Sequence, residues 1–100
     1  MDLRQDIIES ICDLARQDGI KQVVLFGLRA RGDNRERSDI DLAAHGGNVA
    51  AFALDVDEKT PTLLSFDVVD LDGGTQAELL DEIQRDGVVL YEQPENRELF

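Results

Sequence analysis

The sequence predicts a single α/β domain on a mixed four-stranded sheet, with its elements in the order α-β-β-α-β-α-β. Three segments repeat apolar residues with the 3.6-residue period of an amphipathic helix. Four short runs have the composition or the two-residue alternation of strands. The 100 residues provide room for one domain, and no linker or internal repeat divides them.

Helices are predicted over residues 4–18, 48–59 and 75–86. In the first, isoleucine and leucine recur at i, i+4 and i+7, which places them on one face. Asn48 is the expected N-cap of the second helix. Thr75-Gln76-Ala77-Glu78 has the pattern of a capping box, which predicts reciprocal hydrogen bonds at the start of the third.

The predicted strands cover residues 21–26, 38–44, 63–71 and 88–91. The connection between the first two contains no full helix, whereas a parallel crossover needs about a dozen residues and is usually helical. The sheet is therefore expected to be mixed. We expect the domain to cover residues 1–92 and residues 93–100 to form a polar tail.

Composition limits the possible functions. The chain has 22 acidic and 10 basic residues and a net charge of −12, so direct nucleic-acid binding is not expected. It has no apolar run of the ~20 residues that cross a bilayer and no signal-peptide pattern. We therefore expect a cytoplasmic protein without membrane contact. Cys12 and His45 are single, which excludes an internal disulfide and a zinc cluster.

Three carboxylates are the candidate catalytic and metal-binding groups. Asp39 and Asp41 are two residues apart on a predicted strand, so their side chains share one face. Such a pair repels itself unless it shares a cation, and Mg²⁺ prefers oxygen ligands. Asp67, in the third strand, is the expected third carboxylate, with Asp70 as its rival. A solvated strand face is the alternative interpretation of the pair.

The segment before the pair adds a candidate phosphate-binding turn. Residues 27–32 end a buried strand and begin and end with glycine. Glycine allows close approach of the backbone to phosphate, and amides at a helix start attract anions. Arg29 and Arg31 add positive charge, although both could equally form surface salt bridges.

These residues resemble the signature of the DNA polymerase β-like nucleotidyltransferases. Phe26-Gly27-Leu28-Arg29-Ala30-Arg31-Gly32 followed by Ser38-Asp39-Ile40-Asp41-Leu42 is most similar to the minimal nucleotidyltransferase (MNT) family, whose pattern is Gly-Ser-x-Ala-Arg-Gly and then Ser-Asp-x-Asp-Leu. Residues 65–71 resemble that family's third-carboxylate strand. The similarity extends over about residues 5–92.

The resemblance implies transfer of a nucleotidyl group with two Mg²⁺ ions and ATP. It implies that Asp39, Asp41 and Asp67 bind the metal, and that Asp67 also orients or deprotonates the nucleophile. Gly27 and the following amides, including that of Leu28, would hold the β and γ phosphates. Arg29 and Arg31 would add charge to this nucleotide site, and Ser38 would support the loop or the metal site.

The resemblance also implies a partner. Family members of this size are commonly paired with HEPN-domain proteins in toxin–antitoxin systems, where the MntA-type protein is the antitoxin, and some transfer AMP to a tyrosine of the HEPN toxin. A hetero-oligomer with a HEPN-domain protein is thus expected.

One departure from the family pattern opens an alternative. Leu28 replaces the motif serine, and losing a hydrogen bond to a charged group costs about 1.5–3 kcal/mol. Three hypotheses follow: an active nucleotidyltransferase, a catalytically weakened antitoxin that acts by binding, and a structural α/β domain.

Overall fold

The computed structural model describes residues 1–94; residues 95–100, most of the predicted polar tail, lie outside the described part. The predicted order of elements is confirmed, with two short additions: a helical turn, α2, between the first two strands and a 3₁₀ turn after the third. The elements are α1 (Gln5–Gln17), β1 (Gln22–Phe26), α2 (Gly27–Arg31), β2 (Ile40–His45), α3 (Val49–Lys59), β3 (Phe66–Asp70), a 3₁₀ turn (Leu71–Gly73), α4 (Ala77–Asp86) and β4 (Val88–Glu92).

The four strands form one mixed sheet in the order β3-β2-β1-β4. β1 is antiparallel to both of its neighbours, β2 and β4. β2 and β3 are parallel and are joined through α3, which provides the helical crossover that a parallel pair needs. The prediction of a mixed sheet is therefore confirmed.

Helices cover the two faces of the sheet unequally. The larger core lies on the face covered by α1 and α3, where Ile11, Leu25, Leu42 and Phe52 are fully buried. A smaller cluster on the other face packs Ile83 of α4 against β1 and β2. Because side chains alternate along β2, Asp41 lies on this second, less covered face.

The helix ends match the prediction in one case and differ in another. Asn48 caps α3, since its side-chain oxygen accepts from the amide of Ala51 at 3.0 Å. The capping box at α4 was wrong: Gln76 is the N-cap and makes no side-chain cap bond. The hydroxyl of Thr75 instead donates to the carbonyl of Asp70 at 3.3 Å, closing the turn before the helix.

Two predicted strands were too long at their N-terminal ends. β2 begins at Ile40, so Ser38 and Asp39 belong to the preceding loop, and β3 begins at Phe66. The hydroxyl of Ser38 accepts from the amide of Arg35 at 2.9 Å, which closes a tight turn where an extended strand was expected. Within residues 1–94, every helix is too short or too polar to cross a bilayer.

Candidate active site

Carboxylates from two neighbouring strands meet at one edge of the second face. Asp41 of β2 and Asp67 of β3 are register partners in the parallel pair, so their side chains lie side by side. Asp39 stands two residues before Asp41, just ahead of the strand. The structure thus makes Asp41 and Asp67 direct neighbours and places Asp39 close enough for its charge to act on Asp41.

The electrostatics of Asp41 reflect this crowding. Burial raises the pKa of its half-buried carboxyl above the ordinary value, and the negative charges of Asp67, Asp39 and Glu82 raise it further. Each neighbour disfavours the ionised form. A bound cation would reverse the balance, so the chemistry of this edge favours a positively charged ligand.

The residues fit a metal that is held jointly with substrate. Among residues 1–94, no three His, Cys, Asp or Glu side chains converge closely enough to form a complete metal site. Asp39 and Asp67 are exposed, so their side chains have room to turn toward a cation. Mg²⁺ usually takes one or two carboxylates together with water and substrate phosphates, and this edge provides such a partial set.

The register also distinguishes the two candidates for the third carboxylate. Asp70 pairs with Ala44 and, by alternation, points to the opposite side of the sheet from Asp67. Its carboxylate accepts from the amide of Asp72 at 2.9 Å and starts the 3₁₀ turn. Asp67 is therefore the one beside Asp41, and it is exposed because β3 is an edge strand.

Gly27 places the start of α2 directly against Asp41. Phe26, the last residue of β1, is the register partner of Asp41. Gly27 follows with a positive φ of 74°, and a Cβ there would lie 2.5 Å from Oδ2 of Asp41. Only glycine tolerates both conditions. The amides of Gly27 and Leu28 thus lie at the same edge as the carboxylates, and the side chain of Leu28 is 43% exposed.

Arg29 is buried and braces the loop that leads to Asp39. Its guanidinium donates to the carbonyl of Ser38 at 2.9 and 3.0 Å, to that of Glu36 at 3.0 Å and to that of Asp2 at 3.2 Å. These bonds count against a free role in phosphate binding, which stays a prediction. Sequence reasoning missed this brace because its acceptors are main-chain carbonyls, which no sequence pattern marks.

Arg31 ties α2 to α4. Its guanidinium lies 3.3 Å from Glu82, 3.5 Å from Asp86 and 3.4 Å from Asp33. Glu82 also adds to the negative field at Asp41, so α4 contributes a residue that the sequence did not single out. Its position depends on how Ile83 seats the helix on the sheet, which only the tertiary structure shows.

Comparison with known families decides the relationship. A family model described as polymerase beta, nucleotidyltransferase matches residues 9–96. The chain belongs to the polymerase β nucleotidyltransferase family. No curated protein sequence matches this nucleotidyltransferase chain.

Solved structures share the nucleotidyltransferase fold. A toxin–antitoxin complex with AMP-PNP matches with a TM-score of 0.69 and 22% identity over 92% of this chain and 78% of that one. A tri-AMPylated HEPN toxin of Shewanella oneidensis in complex with an MNT antitoxin matches with a TM-score of 0.65 and 20% identity, over 97% of this chain and 79% of that one. A protein assigned as a minimal nucleotidyltransferase matches with a TM-score of 0.64 and 23% identity, over 87% of this chain and 98% of that one. These likenesses confirm the predicted fold.

Proposed function

We propose that this nucleotidyltransferase transfers AMP from ATP to a hydroxyl of a HEPN-domain partner and acts as the antitoxin of that pair in the cytoplasm. The observation that carries the proposal is the pairing of Asp41 with Asp67 beside the Gly27 turn. Carboxylates and backbone amides then lie at one edge of the sheet, as binding a metal–triphosphate complex requires.

Each site residue has a role in this proposal. Asp39 and Asp41 hold Mg²⁺, and Asp67 orients the attacking hydroxyl and takes its proton. The amides of Gly27 and Leu28 hold the triphosphate. Two bound Mg²⁺ ions would neutralise the phosphates and lower the pKa of the hydroxyl.

Three further residues position the segments that carry the site. Arg29 fixes the loop that carries Asp39, and Ser38 closes the turn within that loop. Arg31 holds α2 against α4 and adds positive charge near the phosphates. The proposal thus uses Arg29 and Ser38 for positioning and reserves contact with the nucleotide for the backbone of α2.

The nature of the donor and the acceptor draws support from the structural neighbours. One of them holds AMP-PNP, and another pairs an MNT antitoxin with a HEPN toxin that carries AMP groups. We therefore propose that a second protein presents the hydroxyl and that the working unit is a hetero-oligomer.

A second candidate function is neutralisation by binding alone. Leu28 favours it, because an exposed apolar side chain stands where the family pattern places a serine hydroxyl. In this version the carboxylate edge persists but transfer is slow, and contact with the HEPN protein suppresses its activity.

Labelled ATP separates the two candidates. The chain is incubated with α-labelled ATP, Mg²⁺ and a HEPN-domain protein from the same genome, next to an Asp39→Ala/Asp41→Ala variant. Label on the HEPN protein that disappears with the double variant supports transfer. Absence of label, with neutralisation surviving in the double variant, contradicts transfer and favours binding alone.

A further inference from the structure

A large open groove of about 1040 Å³ adjoins Asp39 of the candidate site. Its walls are the start of α1, the loop before β2 and residues 61–65 before β3. Asp39 lines it, and so does Ser65, two residues before Asp67, whereas Gly27 and Leu28 do not. The groove therefore reaches the site from a side that the proposed phosphate-binding turn does not line.

The geometry of nucleotidyl transfer indicates which substrate approaches the site through this groove. The acceptor oxygen forms a bond to the α-phosphorus as the bond to the α–β bridging oxygen breaks, and pyrophosphate leaves with that electron pair. The hydroxyl proton passes to Asp67. Attacking and leaving oxygens lie in line on opposite sides of the phosphorus. If the Gly27 turn holds the leaving phosphates, the acceptor enters from another side, and the groove opens there.

The lining of the groove indicates the class of acceptor. Its walls combine apolar and charged side chains. The apolar ones are Leu3, Ile7, Pro61, Leu63 and Leu64, and the charged ones are Asp2, Arg4, Arg29, Glu36, Arg37 and Asp39. The side chain of Leu63 is fully exposed, which leaves its whole apolar surface available to a ligand. A groove with apolar and charged walls, on a chain with a net charge of −12, suits a polypeptide far better than a nucleic acid.

Three arginines line the groove; Arg4 and Arg29 bond within the chain, and Arg37 is presented by a fixed backbone. Arg37 lies between Glu36 and Ser38, whose carbonyls are both bound by the buried guanidinium of Arg29. Arg37 lines the groove. It also makes no ion pair within the described residues, although the chain has more than twice as many acidic as basic residues. Its charge is thus available to a carboxylate on a ligand.

We propose that this groove receives the acceptor segment of the partner protein. The segment is an extended stretch of polypeptide that carries the modified hydroxyl, an apolar side chain against Leu63 and an acidic side chain paired with Arg37. This inference rests on the proposed nucleotidyl transfer and adds the surface and the chemistry by which the acceptor is chosen.

Matched surface substitutions test the groove. Leu63→Asp and Arg37→Glu alter exposed groove residues, while Leu54→Asp and Arg35→Glu alter an exposed leucine of α3 and an arginine of the same loop, neither of which lines the groove. Label transfer to the HEPN-domain protein is measured over a range of its concentrations. Affinity for Mg²⁺·AMP-PNP and Tm are measured in parallel.

The expected result is that the groove variants weaken binding of the acceptor and leave binding of the nucleotide unchanged. The two groove variants are expected to raise KM for the HEPN protein at least about tenfold. By our order-of-magnitude estimate for exposed sites, they leave the affinity for Mg²⁺·AMP-PNP within about twofold of the wild type and Tm within about 2 °C of it. The two control variants behave as the wild type. A groove variant and its control with equal KM values would overturn the inference while leaving the proposed transfer intact.

Two further outcomes also count against it. Absence of transfer by the wild type overturns the proposed function and this inference together. Label that appears on an added RNA oligonucleotide, and is reduced by the groove variants, overturns the assignment of a polypeptide acceptor.

Discussion

Two conditions require a glycine at position 27: its positive φ of 74° and the close approach of the Asp41 carboxylate. Gly27→Ala is expected to destabilise the protein by about 2–4 kcal/mol, combining backbone strain with a displaced carboxylate. It should also weaken binding of Mg²⁺·AMP-PNP. Chemical denaturation and calorimetric titration measure the two effects.

Gly74→Ala is the matched control for Gly27→Ala. Gly74 has a φ of 85°, but nothing lies within 4 Å of a Cβ added there. It therefore carries the backbone strain without the contact. If both variants lose the same stability and both retain nucleotide binding, the contact with Asp41 has no role in the site.

Leu28 can be tested by giving the turn its missing hydroxyl. Because Leu28 is 43% exposed, Leu28→Ser should fold normally. One added hydrogen bond to a charged phosphate is expected to raise the rate of AMP transfer roughly ten- to a hundredfold. Leu28→Ala separates the hydroxyl from the mere loss of the leucine. An equal gain in both variants would show that the hydroxyl contributes nothing.

At the scale of elements, Arg29 joins the N-terminal segment, α2 and the loop before β2. Arg29→Ala is expected to lower the free energy of unfolding by about 2–4 kcal/mol, because it leaves three carbonyls without their charged donor. Arg31→Ala removes only partly exposed ion pairs and should change it by about 1 kcal/mol or less. Equal effects in urea denaturation would contradict the brace.

The junction of α1 and α3 holds a second carboxyl pair. Oδ2 of Asp18 is buried and accepts no hydrogen bond from residues 1–94. Burial raises the pKa of Asp18, the neighbouring carboxyl of Asp55 raises it further, and Lys59 partly offsets both. The folded protein therefore binds a proton here more tightly than the unfolded chain does.

A pH profile of stability follows from that raised pKa. Stability from this pair is greatest near and below about pH 4, the ordinary pKa of aspartate, and falls as the pH rises through the raised value. Asp18→Asn should remove this slope and raise Tm at pH 7, since an amide can donate to Asp55. Thermal denaturation from pH 4 to 8 measures it. An Asp57→Asn control, at an exposed site of α3, should keep the wild-type slope.

The sequence predicted the elements because period and composition are local properties. The order of the elements and the cap at Asn48 depend on neighbouring residues, and the mixed sheet could be inferred from the short connection between β1 and β2. The predicted capping box does not form, because the hydroxyl of Thr75 donates to the carbonyl of Asp70 in the preceding turn. The brace by Arg29 and the approach of Glu82 could not be predicted, because each depends on segments that only the tertiary fold brings together.

At the scale of the whole molecule, ligand binding should appear as stability. A ligand that binds only the folded state stabilises it by about 2.7 kcal/mol at a hundredfold excess over Kd, which is roughly 10–20 °C in Tm for a domain of this size. We expect Mg²⁺ with AMP-PNP to raise Tm. The Asp39→Ala/Asp41→Ala variant should respond little, and AMP-PNP with EDTA controls for the metal. An equal rise in the double variant would contradict the assigned ligands.

The parallel pairing of β2 with β3 also decides when the site can form during folding. Asp41 and Asp67 become neighbours only after α3 has carried the chain back along the sheet. Contacts between residues far apart in sequence form slowly, because the intervening loop must be closed first. A nascent or partly folded chain that ends before β3 has two carboxylates and no third. Nucleotidyl transfer would then report that β3 has paired with β2, and a product of synthesis that ends before β3 would hold no working site.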